Sequence, residues 1–165
     1  MMSVIEATIA EVQQEAKTTR KMLERVPEES LSWQPHEKSM TLGRLAAHIA
    51  ALPGVFIAKL AQDEADSRSF GQLPTDNAAK IVALFDKNIS DSVEFLKTQS
   101  IEQLLVPWRY RSGEQVVFEM PRLAVIRFVC LNHLIHHRGQ LSVYLRLLNV
   151  PLPSVYGPTA DEQRA

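Results

Sequence analysis

The chain has 165 residues, 45% hydrophobic and 22% charged, which fits one globular domain over residues 1–165 with a real core and leaves no room for a second. With 18 basic and 19 acidic side chains the net charge is −1, too weak a field to hold nucleic acid or an anionic membrane, and neither partner is expected. The single cysteine, Cys130, excludes an internal disulfide; with no signal-peptide core between Met1 and Arg20 and no uninterrupted apolar run near about 18 residues, a cytoplasmic protein is expected.

Ile5, Ile9, Val12, Ala16, Thr19, Leu23 and Val26 step by four and three, which predicts a first helix from about Ser3 to Val26, ended by Pro27. A polar connection through Trp33-Gln34-Pro35-His36 follows. Thr41 is an N-cap, and Leu42, Leu45, Ile49, Leu52, Phe56 and Leu60 carry a second helix. Pro53 has no amide hydrogen for the Ile49 carbonyl, so a kink is expected just past His48. Pro74-Thr75-Asp76 opens a third helix running to about Thr98, with Val82, Phe85, Ile89, Val93 and Leu96 inward.

Val106, Trp108 and Tyr110 then alternate toward Ser112-Gly113, and Val116, Phe118 and Met120 alternate away, the pattern of a short hairpin or extended loop over the helices. Pro121 suits the first turn of a fourth helix reaching about Leu148, where Asn149 and the prolines of the tail stop it. The expected fold is all-α: a four-helix bundle with a long connection between helices three and four.

The chemistry concentrates in the fourth helix. Its inward stripe reads Ile126, Cys130, His133, His137, Leu141, Tyr144, Leu148, so two imidazoles stand where leucine would serve a core better. Residues i and i+4 differ by about 40° in direction and one turn in height, so both rings reach one point. A buried imidazole without a partner costs about 1–3 kcal/mol, and a cation or a pair of hydrogen bonds removes that cost equally well. A lone buried histidine is ordinarily hydrogen-bonded, whereas a helical pair fits both accounts.

His48, at the edge of the second helix's inner stripe, offers a third nitrogen if the helices pack antiparallel. Three imidazoles leave a divalent ion with open positions, as a catalytic site requires, and all-nitrogen ligands admit zinc, nickel or iron. His136 stands to the side of His133 as a substitute ligand or a flank residue, and His36 lies in a solvated turn. Cys130 reads as a small buried hydrophobe, Gly139 as a close approach of another helix or subunit, and Arg138 and Gln140 as polar residues off the stripe.

Three stretches bracket nearly the whole chain: Trp33-Gln-Pro-His-Glu-Lys-Ser-Met-Thr-Leu-Gly-Arg-Leu-Ala-Ala-His48, Asn132-His-Leu-Ile-His-His-Arg-Gly-Gln140 and Val150-Pro-Leu-Pro-Ser-Val-Tyr-Gly-Pro158. On them the chain resembles the DinB/YfiT-like superfamily of metalloenzymes, the DinB family. The resemblance implies a four-helix bundle in which His48, His133 and His137 bind a divalent metal, with manganese added to the candidates. It also implies thiol-dependent transfer or isomerisation with a low-molecular-weight thiol such as mycothiol or bacillithiol, and a homodimer.

The leading expectation is a metal-dependent S-transferase acting on a small-molecule substrate. A small metal-dependent hydrolase is the alternative, although no Asp or Glu on the fourth helix's stripe could serve as its base. A non-catalytic, stress-associated dimer that binds metal or ligand is the third. No Gly-x-Ser-x-Gly elbow supplies a protein nucleophile.

Overall fold

A computed structural model of the chain describes residues 2–69 and 71–162. Helix α1 spans Val4–Leu23 and opens on a reciprocal cap between Ser3 and Glu6. It stops short of Val26 because Arg25 and Val26 already turn back, their amides donating to the Met22 and Leu23 carbonyls. Helix α2 spans Leu42–Phe56 on the Thr41 cap, whose hydroxyl accepts from the Arg44 amide at 3.3 Å. Gly43 is required there: a Cβ would stand 2.0 Å from the Thr75 carbonyl oxygen.

The helix continues through Pro53 to Phe56, and α3 (Ala78–Lys97) tends the backbone around the proline. Asn88 donates to the Ala50 carbonyl at 2.9 Å, and the fully buried Ser92 hydroxyl lies 3.1 Å from the Pro53 carbonyl. Beyond Ile57 the α2 direction is extended only by a 3-10 turn, Ala58–Ala61. The stretch Leu42–Ala61 is long and apolar enough to cross a membrane by length and composition, with mean hydropathy 1.4, and 61% of that window is buried against the rest of the protein. Helix α3 begins later than Pro74 because the Asn77 side chain, accepting from the Lys80 amide at 2.8 Å, is the actual cap.

The protein is mostly helical, but the all-α expectation does not hold, because three strands form a small sheet. After a short helix α4 (Ile101–Leu105), β2 (Pro107–Ser112) and β3 (Gln115–Pro121) pair antiparallel as the alternation foresaw, turning at Gly113 with φ of 64°. Strand β1 (Glu64–Asp66) joins the other edge of β2 in parallel, giving the order β1-β2-β3. The inward residues of the hairpin are aromatic. Trp108 is fully buried, Tyr110 stacks on Phe118 with centroids 5.3 Å apart, and Tyr110 also meets Phe56 at 5.5 Å. The sheet therefore closes over the C-terminal end of α2.

The last long helix is composite. A single turn, α5 (Arg122–Ala124), leads into a π-helical stretch, Val125–Leu131, and then α6 (Asn132–Leu147). The Asn132 amide reaches back five residues to the Arg127 carbonyl, so the helix gains a residue immediately before His133. It ends with Asn149 at φ of 59° and the Val150 and Asn149 amides donating to the Leu145 and Arg146 carbonyls at 3.0 Å each. Helix α2 packs against α3 and α6, and α1 against α3 and α6, around one cluster of buried side chains.

Candidate metal centre

His48 is the half-buried exception in the otherwise buried run from Leu45 to Leu52. Packing of α2 on α6 brings it to the two histidines of the last helix. The rings of His48, His133 and His137 lie with centroids 4.6–5.1 Å apart, and one nitrogen from each falls within 4.8 Å of the others. His48 Nε2 and His133 Nε2 are 3.3 Å apart. Two nitrogens bound about 2.0–2.1 Å from a tetrahedral ion stand about 3.3–3.4 Å from each other, so this edge already has the width that zinc-like coordination needs. If the two rings are hydrogen-bonded to each other, one Nε2 donates and the other accepts, as their tautomers decide.

His137 Nδ1 lies 2.6 Å from Gln140 Oε1. An amide oxygen only accepts, so Nδ1 carries the hydrogen and Nε2 keeps the lone pair. Gln140, on α6 one turn beyond His137, fixes tautomer and ring together. Replacing it with alanine should weaken metal binding about ten- to hundredfold, and Gln140→Glu, which restores an acceptor, should recover most of the loss; competition against a chelator reads both. Equal affinity in the alanine variant would remove Gln140 from the site.

The electrostatics favour neutral rings. Burial, then the charges of His137, His133 and Arg44, lower His48 from 6.5 to about 4. Burial is also the first cause of the lowered pKa values of His133 and His137, with neighbouring imidazoles adding to it. Neutral imidazole is the form that binds a metal. In the metal-free protein the native state refuses protons that the unfolded chain accepts below 6.5, so stability is full above that pH and falls as pH drops toward about 4. Urea midpoints across this window should fall more steeply for wild type than for His48→Asn. Parallel curves would contradict the assignment.

His136 is exposed and points its ring at the outside of His137, with centroids 4.9 Å apart, and it lies outside the cluster. His36 is exposed in its turn, where it accepts from the Lys38 amide at 3.1 Å. Cys130 is fully buried, its thiol pushed up to about 12 by burial, and it contributes nothing to the centre. Gly139 is not a close approach within the chain: a Cβ there would meet nothing within 4 Å among the described residues, because it lies on the outward face of α6.

Arg138 corrects the sequence reading most. It is 2% exposed, in the seam between α6 and α1, where Nη1 pairs with Glu15 Oε2 at 2.7 Å and donates to Thr19 Oγ1 at 3.0 Å. Its Nη2 donates to Tyr156 Oη at 2.7 Å, and that hydroxyl donates in turn to the Glu15 carboxylate at 2.9 Å. The tail is thereby pinned across α1 and α6. Consecutive helical residues point about 100° apart, so the same turn that aims His137 at α2 aims Arg138 at α1. A lone Glu15 among Val12, Ala16 and Thr19 on the α1 stripe was the signal that a buried cation lies opposite.

A cavity of about 370 Å³ opens beside the cluster, lined by His48 and His133 with Ala51, Leu52, Val55, Phe56, Gly71, Leu73 and Tyr110. Its volume is that of a small-molecule site. Among the described residues no carboxylate, serine or cysteine lines it.

Comparison with known proteins agrees with this architecture. The sequence model of the DinB family matches residues 1–164. The uncharacterized protein YrdA of Bacillus subtilis is 30% identical over 149 residues, 90% of this chain and 85% of the relative. Among solved structures, a DinB-like protein from Bacillus cereus superposes with a TM-score of 0.74 at 28% identity, covering 94% of this chain and 100% of its own. A DinB-like protein from Bacillus subtilis, YjoA, gives 0.70 at 20% identity over 90% and 96%, a likeness of fold alone.

Proposed function

The chain belongs to the DinB family, and from that premise we propose a metal-dependent enzyme of the thiol-dependent S-transferase type in which His48, His133 and His137 hold one divalent cation. The observation that carries this reading is the junction of a neutral three-histidine cluster with an apolar cavity that offers no nucleophile and no general base of its own. A divalent ion, when bound, supplies a Lewis acid that lowers the pKa of a thiol taken up in its open position.

The remaining work falls to the chain. His48 and His133 present their nitrogens at the cavity wall, and Gln140 holds His137 in the tautomer that leaves its Nε2 free. Phe56 and Tyr110 keep water from the electrophile that enters beside them. Cys130 is sealed and protonated, so the nucleophile comes from a second substrate. Hydrolysis would need a base beside an activated water, and no carboxylate lines this cavity to supply one. Nitrogen donors accept zinc, nickel, iron or manganese, and affinity order does not choose among them.

The test is to strip the purified protein, reload it with each of these metals, and follow loss of several small thiols in the presence of a generic electrophile. Metal-dependent consumption of at least one thiol is expected. Background rates with every thiol and every metal would refute the transferase reading, and metal-dependent ester hydrolysis would replace it.

Assembly belongs to the same reading. The outward face of α6 carries His136, Gly139, Val143 and Leu147 on successive turns, with Val143 and Leu147 each 57% exposed, and it is the face proposed for a homodimer. Val143→Glu should halve the mass seen by sedimentation velocity. A wild-type monomer would contradict the assignment.

A further inference from the structure

A second cleft adjoins the cavity beside the histidines. Ala51, Val55, Gly71 and Leu73 line the cavity on one side and, on the other, this cleft of about 480 Å³ that runs between α2, the 3-10 turn and α3. The two differ in chemistry. Histidines aside, the described residues that wall the first are aliphatic and aromatic side chains, Tyr110 among them, and Gly71, while the second adds Lys59, Gln62, Gln72, Lys87, Asn88 and Asp91. Three of the polar groups in the cleft are already committed: Lys87 pairs with Asp91, and the Asn88 amide donates to the Ala50 carbonyl. Lys59 is half-buried and enters no ion pair among the described residues.

Lys59, half-buried in the cleft that adjoins the apolar cavity, is best satisfied by an anionic group whose own body fills that cavity. We propose that the two adjoining cavities together take an amphipathic acid, with its uncharged apolar part against Phe56 and Tyr110 beside His48 and His133 and its anionic end at Lys59. This names the substrate class of the centre described above and rests on that reading only for which end of the ligand faces the histidines. Val55 and Leu73 line both compartments, one from α2 and one from the loop across it.

Two fluorescent probes with one skeleton separate the parts of the claim: phenylnaphthylamine, which is neutral, and anilinonaphthalene sulfonate, the same rings with one anionic group. Both should brighten on titration with the folded protein, the sulfonate binding about tenfold tighter, the scale of one charge-assisted contact. Lys59→Met should bring the sulfonate down to the neutral probe's affinity and leave the neutral probe unchanged. Val55→Trp should weaken both by about tenfold or more, and Leu73→Trp, on the loop across the cavity, should do the same without disturbing a helix.

Equal affinities for the two probes, or an unchanged preference in Lys59→Met, would overturn the anionic end. Full binding of both probes by Val55→Trp and Leu73→Trp, each folded by circular dichroism, would overturn the cavity. His137→Ala, a member of the metal cluster outside the cavity lining, keeps the two readings apart: it should lose metal and retain both probes, so failure of the metal site leaves the ligand site standing.

Discussion

Alanine in place of His48, His133 or His137 should abolish stoichiometric binding of a divalent metal, and His136→Ala and His36→Ala should leave it intact. Each of the three rings supplies one of the converging nitrogens, and two imidazoles hold a divalent ion far less well than three because the missing bond is replaced only by water. The loss should exceed the ten- to hundredfold that follows removal of a residue acting through a ligand, such as Gln140. The folds should survive. His48 and His133 are half-buried at the edge of the core, and Leu45, Ile49, Leu134 and Leu141 keep the packing around them. Equilibrium dialysis followed by elemental analysis gives the result, and retention of one equivalent by any of the three variants removes that residue from the centre.

Arg138→Met should cost about 3–5 kcal/mol of stability, the largest loss expected from any single polar substitution, because it strands the Glu15 carboxylate in the α1–α6 seam. The loss has little to do with the ion pair's own strength. Desolvating two charges offsets most of their attraction, so Arg138→Met combined with Glu15→Leu should recover most of the stability. Urea unfolding of wild type, both single variants and the double variant measures the coupling. Additive effects would mean that the two charges are solvated separately. Metal affinity provides a second readout: the double variant should bind nearly as wild type, since Arg138 faces α1 and the ligands face α2.

The parts of this structure that were legible in the sequence are those set by local pattern. The three-and-four spacing of α1, the Thr41 cap and the alternation around Ser112-Gly113 each gave their element directly. The i, i+4 histidines needed only α2 packing to meet His48. What escaped depends on partners distant in sequence. Strand β1 is only three residues, two of them acidic, and exists because Arg109, Tyr110 and Arg111 lie alongside it. The π-helical stretch adds one residue ahead of His133, which shifts the buried line to Leu134, Leu141 and Leu145 and leaves His133 at its edge, a change that periodicity does not encode. Arg138 read only as a polar residue off the stripe because the carboxylate that buries it is on α1. Gly139 looked like a contact because a helix glycine is costly, yet its face meets no other part of the described chain.

The central claim is that one divalent cation sits between α2 and α6 on three histidine nitrogens. Crystals of the protein loaded with zinc, measured on both sides of the metal's absorption edge, test it most directly. A single anomalous peak is expected about 2.0–2.1 Å from Nε2 of His48, His133 and His137, with at least one remaining position open toward the Phe56–Tyr110 cavity. A peak held by His136 or by surface carboxylates, or three histidines hydrogen-bonded to one another with no peak among them, would contradict it.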